Sequence, residues 1–149
     1  MIKVVIFDFD DTLCLTEEAC FYLENKIAAE MGFLPMTREM HQKNWGMILR
    51  DAILERIPGI DADEFVKRQE EYFGKYMSES GFDAISDANL AILDKLKEAG
   101  KKMAILTNRS LIEVKHLMHQ DHGLASRMDF FYYKDILDYH KPDPRAFNQ

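Results

Sequence analysis

The stretch Val4-Val5-Ile6-Phe7-Asp8-Phe9-Asp10-Asp11-Thr12-Leu13 constrains this chain more than any other. A β-branched apolar run stops abruptly in three carboxylates and a hydroxyl. Its length and composition predict, over Ile2 to Phe7, a strand buried on both faces at the centre of a parallel sheet. In open α/β sheets ligands gather at the carboxyl ends of the strands, which places Asp8, Asp10 and Asp11 at the sheet rim. Side chains alternate along a strand, so Asp8 and Asp10 can face one site. Carboxylates this close together call for a cation between them.

At 149 residues the chain holds one domain, or one domain with a modest insertion. The net charge of -7 speaks against nucleic acid or an anionic membrane as partner. An anionic substrate then needs local positive groups, a metal or helix N-termini. No apolar stretch approaches the length of a membrane span, and Met1 runs into the first strand without a signal-peptide pattern. Cys14 and Cys20 are too few for a disulfide framework. They read as reduced, buried thiols, and the expected location is the cytoplasm.

Beyond Leu13 the period becomes helical. Thr16 reads as an N-cap with Glu17 and Glu18 in the first turn, and Ala19, Leu23, Ile27 and Met31 continue the stripe to Gly32. A second helical stretch starts at Thr37, is broken at Trp45-Gly46 and resumes over Met47 to Leu54. A third starts at Asp61 or Asp63 and runs through Phe65, Gln69, Tyr72 and Phe73. Ser86 caps a helix that Gly100 ends, and Lys102 to Leu106 is a second buried strand running into Thr107-Asn108-Arg109-Ser110. A helix over Ser110 to Gln120 and a third strand over Met128 to Tyr133 precede His140-Lys141-Pro142-Asp143-Pro144, where Pro144 suits the first position of a helix. Strands alternating with helices imply right-handed crossovers and a parallel sheet. The expected architecture is α/β: a Rossmann-like catalytic core over residues 1–13 and 81–149, with an all-helical cap over residues 14–80 inserted above the strand ends.

Three strand ends thus supply carboxylates (Asp8, Asp10), a hydroxyl (Thr107) and an ammonium (Lys141). Phosphoryl transfer needs little more. A carboxylate can attack phosphorus, a second carboxylic acid can protonate the leaving alkoxide, and a hydroxyl and an ammonium can hold the non-bridging oxygens. Hard carboxylate oxygens favour Mg²⁺.

Asp8-Phe9-Asp10-Asp11-Thr12, Thr107 in Ile105-Leu106-Thr107-Asn108 and Lys141 in Lys141-Pro142-Asp143-Pro144 resemble the first three motifs of the haloacid dehalogenase-like hydrolase superfamily. The resemblance spans essentially the whole chain, and the helical insert falls where that family carries its cap. It implies Asp8 as nucleophile and metal ligand, and Asp10 as general acid/base that also gives its main-chain carbonyl to the metal. It implies Thr107 on the transferring phosphoryl group and Lys141 as counter-charge to both. An acid at Asp10 marks phosphatases and phosphomutases rather than carbon–halogen hydrolases. The expected function is a Mg²⁺-dependent phosphatase that hydrolyses a small soluble phosphate monoester through an aspartyl phosphate; the alternatives are a phosphomutase, or a weakly active or inactive fragment.

Thr12 is expected to support Asp10 and its turn, while Asn108, Arg109 and, from the cap, Arg50 are candidate substrate contacts. Asp11 stands where many members that act on sugar or glycolate phosphates carry glycine. The family's fourth motif, whose strand pairs with the first, is not found before Gln149. A missing C-terminal segment or self-association is therefore expected to cover the open edge of the first strand. A phosphate-receiving signalling domain uses the same residue types, but there the accepting Asp ends the third strand. His116, His119 and His122 read as a solvated helix face or frayed end without carboxylate partners apart from Asp121, and His140 as a loop residue.

Overall fold

The computed structural model describes residues 2–79 and 83–148, so the boundary expected between residues 80 and 81 lies outside the described residues. The sheet is parallel, with strands β1 (Val4–Phe7), β2 (Lys102–Leu106) and β3 (Phe130–Tyr132) in the order β1-β2-β3. Val5 pairs with Met103, Phe7 with Ile105, and Ile105 with Phe131. Met103, Ile105 and the partly buried Phe7 and Phe131 pack on that face against Leu93, Val114 and Leu117.

The strand buried on both faces is β2, not β1. Residues Met103 to Leu106 are all buried, whereas Val4 and Ile6 are 52% and 44% exposed. Two causes act together on β1. It sits at the sheet edge with one neighbour, and among the described residues its second face meets no helix: Val4, Ile6 and Phe130 share a face that Leu137 and Ala146 close near the strand ends, against Leu106.

The helices are α1 (Glu17–Glu30), α2 (Arg38–Gln42), α3 (Leu49–Arg56), α4 (Ala62–Glu79), α5 (Asp87–Glu98) and α6 (Leu111–Val114). Helices α1 to α4 enclose an apolar cluster of their own, built on Ile27, Ile53 and Phe65, all fully buried. Each such side chain contributes about 1.5–3 kcal/mol by leaving water. Asp61 starts α4 by accepting from Asp63 and Glu64 N–H, and Ser86 starts α5 by accepting from Asn89 N–H. The helix expected over Ser110 to Gln120 is shorter: α6 opens with a Ser110–Glu113 capping box and tightens into a 3₁₀ turn over Lys115–Met118. Pro144 opens a 3₁₀ turn rather than an α-helix, capped by Asp143.

The entry into α1 differs from expectation and matters for the site. Thr16 holds the N-cap position, but its side chain does not cap the helix. The cap is Asp11, whose Oδ1 accepts from Thr16 N–H at 2.9 Å and Glu17 N–H at 3.1 Å. Asp11 adopts φ +54°, a left-handed conformation that aspartate tolerates better than most residues. Phe9, fully buried, anchors the turn by accepting from Leu13 and Cys14 N–H. The Thr16 hydroxyl is thereby freed to donate to Asp10.

Candidate active site

One cleft of roughly 250 Å³ lies between the strand ends and the helical block, and Asp8, Asp10, Thr12, Thr107 and Lys141 all line it. Lys141 Nζ lies 2.5 Å from Asp8 Oδ1, which also accepts from Phe9 N–H at 2.7 Å. Both contacts fall on Oδ1, so Asp8 Oδ2 has no partner among the described residues. The Asp8 side chain is 43% exposed and open to an incoming group. Thr107 is buried, and its Oγ1 accepts from Arg109 N–H at 3.2 Å, which leaves the hydroxyl proton for a ligand.

Asp10 is held far more tightly. Arg109 Nη2 donates to Oδ1 at 2.6 Å and Nε to Oδ2 at 3.1 Å, while the Thr16 hydroxyl donates to Oδ1 at 2.5 Å. Thr12, expected in that role, is exposed on the cleft wall; the supporting hydroxyl comes one helical turn later.

Arg109 is also not the free phosphate contact expected of it. It is buried, stacks on Phe9 and Phe73, and bonds Asp83 through Nη1 at 2.8 Å as well as Asp10. Burial pushes the guanidinium pKa down, but the two carboxylates outweigh it and hold the value well above the ordinary one. Burial likewise pushes Asp83 up, yet His116 and Arg109 reverse the sign and keep its carboxyl below the usual range. His116 Nε2 lies 2.7 Å from Asp83 Oδ2, so this histidine has the carboxylate partner that its sequence neighbourhood lacks. His119, by contrast, is exposed and meets only the exposed Asp121.

Two further expected contacts are spoken for. Asn108 spends both amide hydrogens, on Gly46 and Lys141 carbonyls at 2.9 and 2.8 Å, and its Oδ1 accepts from Lys141 N–H. It ties the loop of Lys141 to the helical block instead of reaching for substrate. Gly46 makes that approach with φ +86°, a turn conformation natural to glycine. Arg50 forms an exposed pair with Asp63, with Nε 2.7 Å from Oδ1, and is not among the cleft-lining residues. Its guanidinium is drawn to the start of α4, on the outside of the helical block.

The wall facing the strand ends carries Glu24 and Arg56, which the sequence did not single out, beside Trp45, Gln69 and Phe73, which it placed only as members of the helical block. Glu24 and Arg56 are a buried ion pair. Arg56 Nε also donates to Asn44 Oδ1 at 2.6 Å, and His41 Nε2 lies 3.4 Å from Glu24 Oε1 without bonding it. On α1 the buried face runs Cys20, Leu23, Glu24, Ile27, Ala28, so Glu24 stands in a slot of the apolar stripe. Gln69 follows Ala62 and Phe65 in the same way on α4. A polar residue at an apolar-stripe position is the signal that could have found both. The cysteines are poor nucleophiles here: burial pushes the Cys14 thiol to about 12 and Cys20 well above its ordinary value.

Among the described residues no group of three or more His, Cys, Asp or Glu side chains is arranged to hold a metal. Mg²⁺ asks for less, since it keeps several waters and takes one or two carboxylates. The open Oδ2 of Asp8 is an oxygen of the required kind. No helix among the described residues is long and apolar enough to cross a membrane.

No curated protein matches the sequence. Solved structures do match in fold. CbbY from Rhodobacter sphaeroides, in complex with phosphate, shares 22% identity with a TM-score of 0.79, over 99% of this chain and 70% of that one. A protein described as a phosphoglycolate phosphatase from Lactobacillus plantarum shares 23% identity with a TM-score of 0.79, over 99% and 69%. The β-phosphoglucomutase of Clostridium difficile shares 19% with a TM-score of 0.72, over 99% and 69%. The sequence profile described as haloacid dehalogenase-like hydrolase matches residues 5–149, nearly the full length, and the chain belongs to that family.

Proposed function

We propose that the chain is a Mg²⁺-dependent phosphatase acting on a small, soluble phosphate monoester through an aspartyl phosphate on Asp8. The observation that carries this reading is Lys141 Nζ at 2.5 Å from Asp8 Oδ1, in one cleft with Thr107 and Asp10. In the first step Asp8 attacks phosphorus, the ester P–O bond breaks, and the leaving alkoxide takes a proton from Asp10. Lys141 and the Thr107 hydroxyl hold the non-bridging oxygens as charge builds on them. In the second step water attacks phosphorus, gives a proton to Asp10, and the Asp8–phosphorus link breaks.

Both Asp10 oxygens act as acceptors in this arrangement, from Arg109 and Thr16. Donating a proton to the leaving group therefore requires Asp10 to turn from Arg109 toward the cleft. Mg²⁺, when bound at Asp8 and the Asp10 main-chain carbonyl, supplies charge neutralisation between nucleophile and phosphate.

The test is hydrolysis of p-nitrophenyl phosphate with and without Mg²⁺, together with intact-mass detection of a phosphoryl adduct. Metal-dependent turnover and an adduct that Asp8→Asn abolishes support the reading. Turnover that persists in Asp8→Asn ends it.

A further inference from the structure

We propose that the helical wall of the cleft holds a hydroxyl-reading subsite centred on Gln69, which makes the preferred substrate a sugar or polyol phosphate. This rests on the phosphatase reading above. Gln69 is 5% exposed, lines the cleft, and its Oε1 is fully buried without a hydrogen-bond partner among the described residues. A buried polar atom left unpaired costs about 1–3 kcal/mol. Natural cores seldom retain one without a use for it. An amide is both donor and acceptor, and so is a hydroxyl, so the two satisfy each other.

The surroundings narrow the choice of ligand. Glu24 and Arg56, on the same wall, pair with each other, so this side of the cleft offers polar atoms with little spare charge. A carboxylate-bearing leaving group would meet the Glu24 carboxylate and an Arg56 already engaged by Glu24 and Asn44. An ammonium-bearing one would find Glu24 already compensated. Neutral hydroxyls suit both acceptors, and Trp45 and Phe73 offer apolar surface to the carbon skeleton between them.

The experiment is calorimetric titration of the full 149-residue chain with inorganic phosphate, glucose 6-phosphate, 2-phosphoglycolate and phosphoethanolamine, repeated on Gln69→Leu and Gln69→Met. Glucose 6-phosphate is expected to bind about tenfold tighter than inorganic phosphate, and both variants should erase that margin. Both variants should also unfold at a higher temperature than the parent, because they remove an unpaired buried amide; a residue that merely packs would not give that pairing of effects. A preference for 2-phosphoglycolate or phosphoethanolamine overturns the subsite, as does a glucose 6-phosphate margin that survives both variants. If inorganic phosphate binds and p-nitrophenyl phosphate is hydrolysed while the sugar margin is absent, the subsite alone fails. If neither phosphate compound is bound or turned over, the phosphatase reading fails and takes the subsite with it.

Discussion

The two walls of the cleft are built on opposite rules. On the strand-end wall, Asp8 is 43% exposed and faces a Lys141 side chain that is 19% exposed, and each comes from a loop after a different strand. On the helical wall, Glu24, Arg56 and Gln69 are almost wholly buried; Glu24 and Arg56 pair with each other, and Asn44 behind them accepts from Arg56. The first wall keeps reactive groups open. The second spends stability to hold polar atoms at the edge of a cavity, because desolvating an ion pair costs much of what the attraction returns. Under the proposed function, chemistry and recognition draw on separate parts of the chain, and a substitution in one should leave the other in place.

Asp8→Asn tests the open wall most severely: turnover of p-nitrophenyl phosphate should fall at least about a thousandfold, with thermal stability little changed. Arg56→Leu tests the buried wall. It strands Glu24 and should cost about 3–5 kcal/mol of stability, read by urea denaturation, well beyond any effect of Asp8→Asn on folding. If both variants act alike on both readouts, the division between walls is wrong.

Acid titration sharpens the same contrast at Asp83. Its carboxyl is held below the ordinary value in the folded chain, so its contribution is complete above the unfolded pKa of about 3.9 and is lost as pH falls through the lower folded value. The stability gap between the parent and Asp83→Asn, followed by circular dichroism, should therefore close as pH falls from about 5 toward 2. Asn108→Ala is milder: it removes hydrogen bonds to Gly46 and to the main chain of Lys141 and should lower kcat/KM by about tenfold. Arg50→Ala should change turnover least of all, since Arg50 pairs with Asp63 on the outer surface.

The strand-end wall was legible in the sequence and the helical wall was not. Asp8 and Thr107 follow directly on β1 and β2, and a strand end fixes where its next side chains go; Lys141 lies beyond β3 and a 3₁₀ turn over Lys134–Ile136, and Asn108 ties its main chain in place. Arg109 shows the limit of that logic. Its position beside Thr107 was readable, but its partners Asp10 and Asp83 lie 99 and 26 residues away, and only packing brings them together. Glu24 was passed over because the first helical stripe was read for its apolar members alone, and Gln69 was placed on its stripe without being singled out as the polar member there. The apolar run at β1 predicted burial on both faces, and failed because apolar content reports what a strand can tolerate, not how many neighbours it receives.

The aspartate at φ +54° has a mechanical consequence. Asp11 clamps the N-cap and first amides of α1, and the hydroxyl of that same Thr16 holds Asp10, so acid, loop and helix are linked through one residue. Any tilt of α1 against the sheet must drag the Asp10 carboxylate along, and glycine at position 11 would relax the backbone while cutting the linkage that transmits the movement.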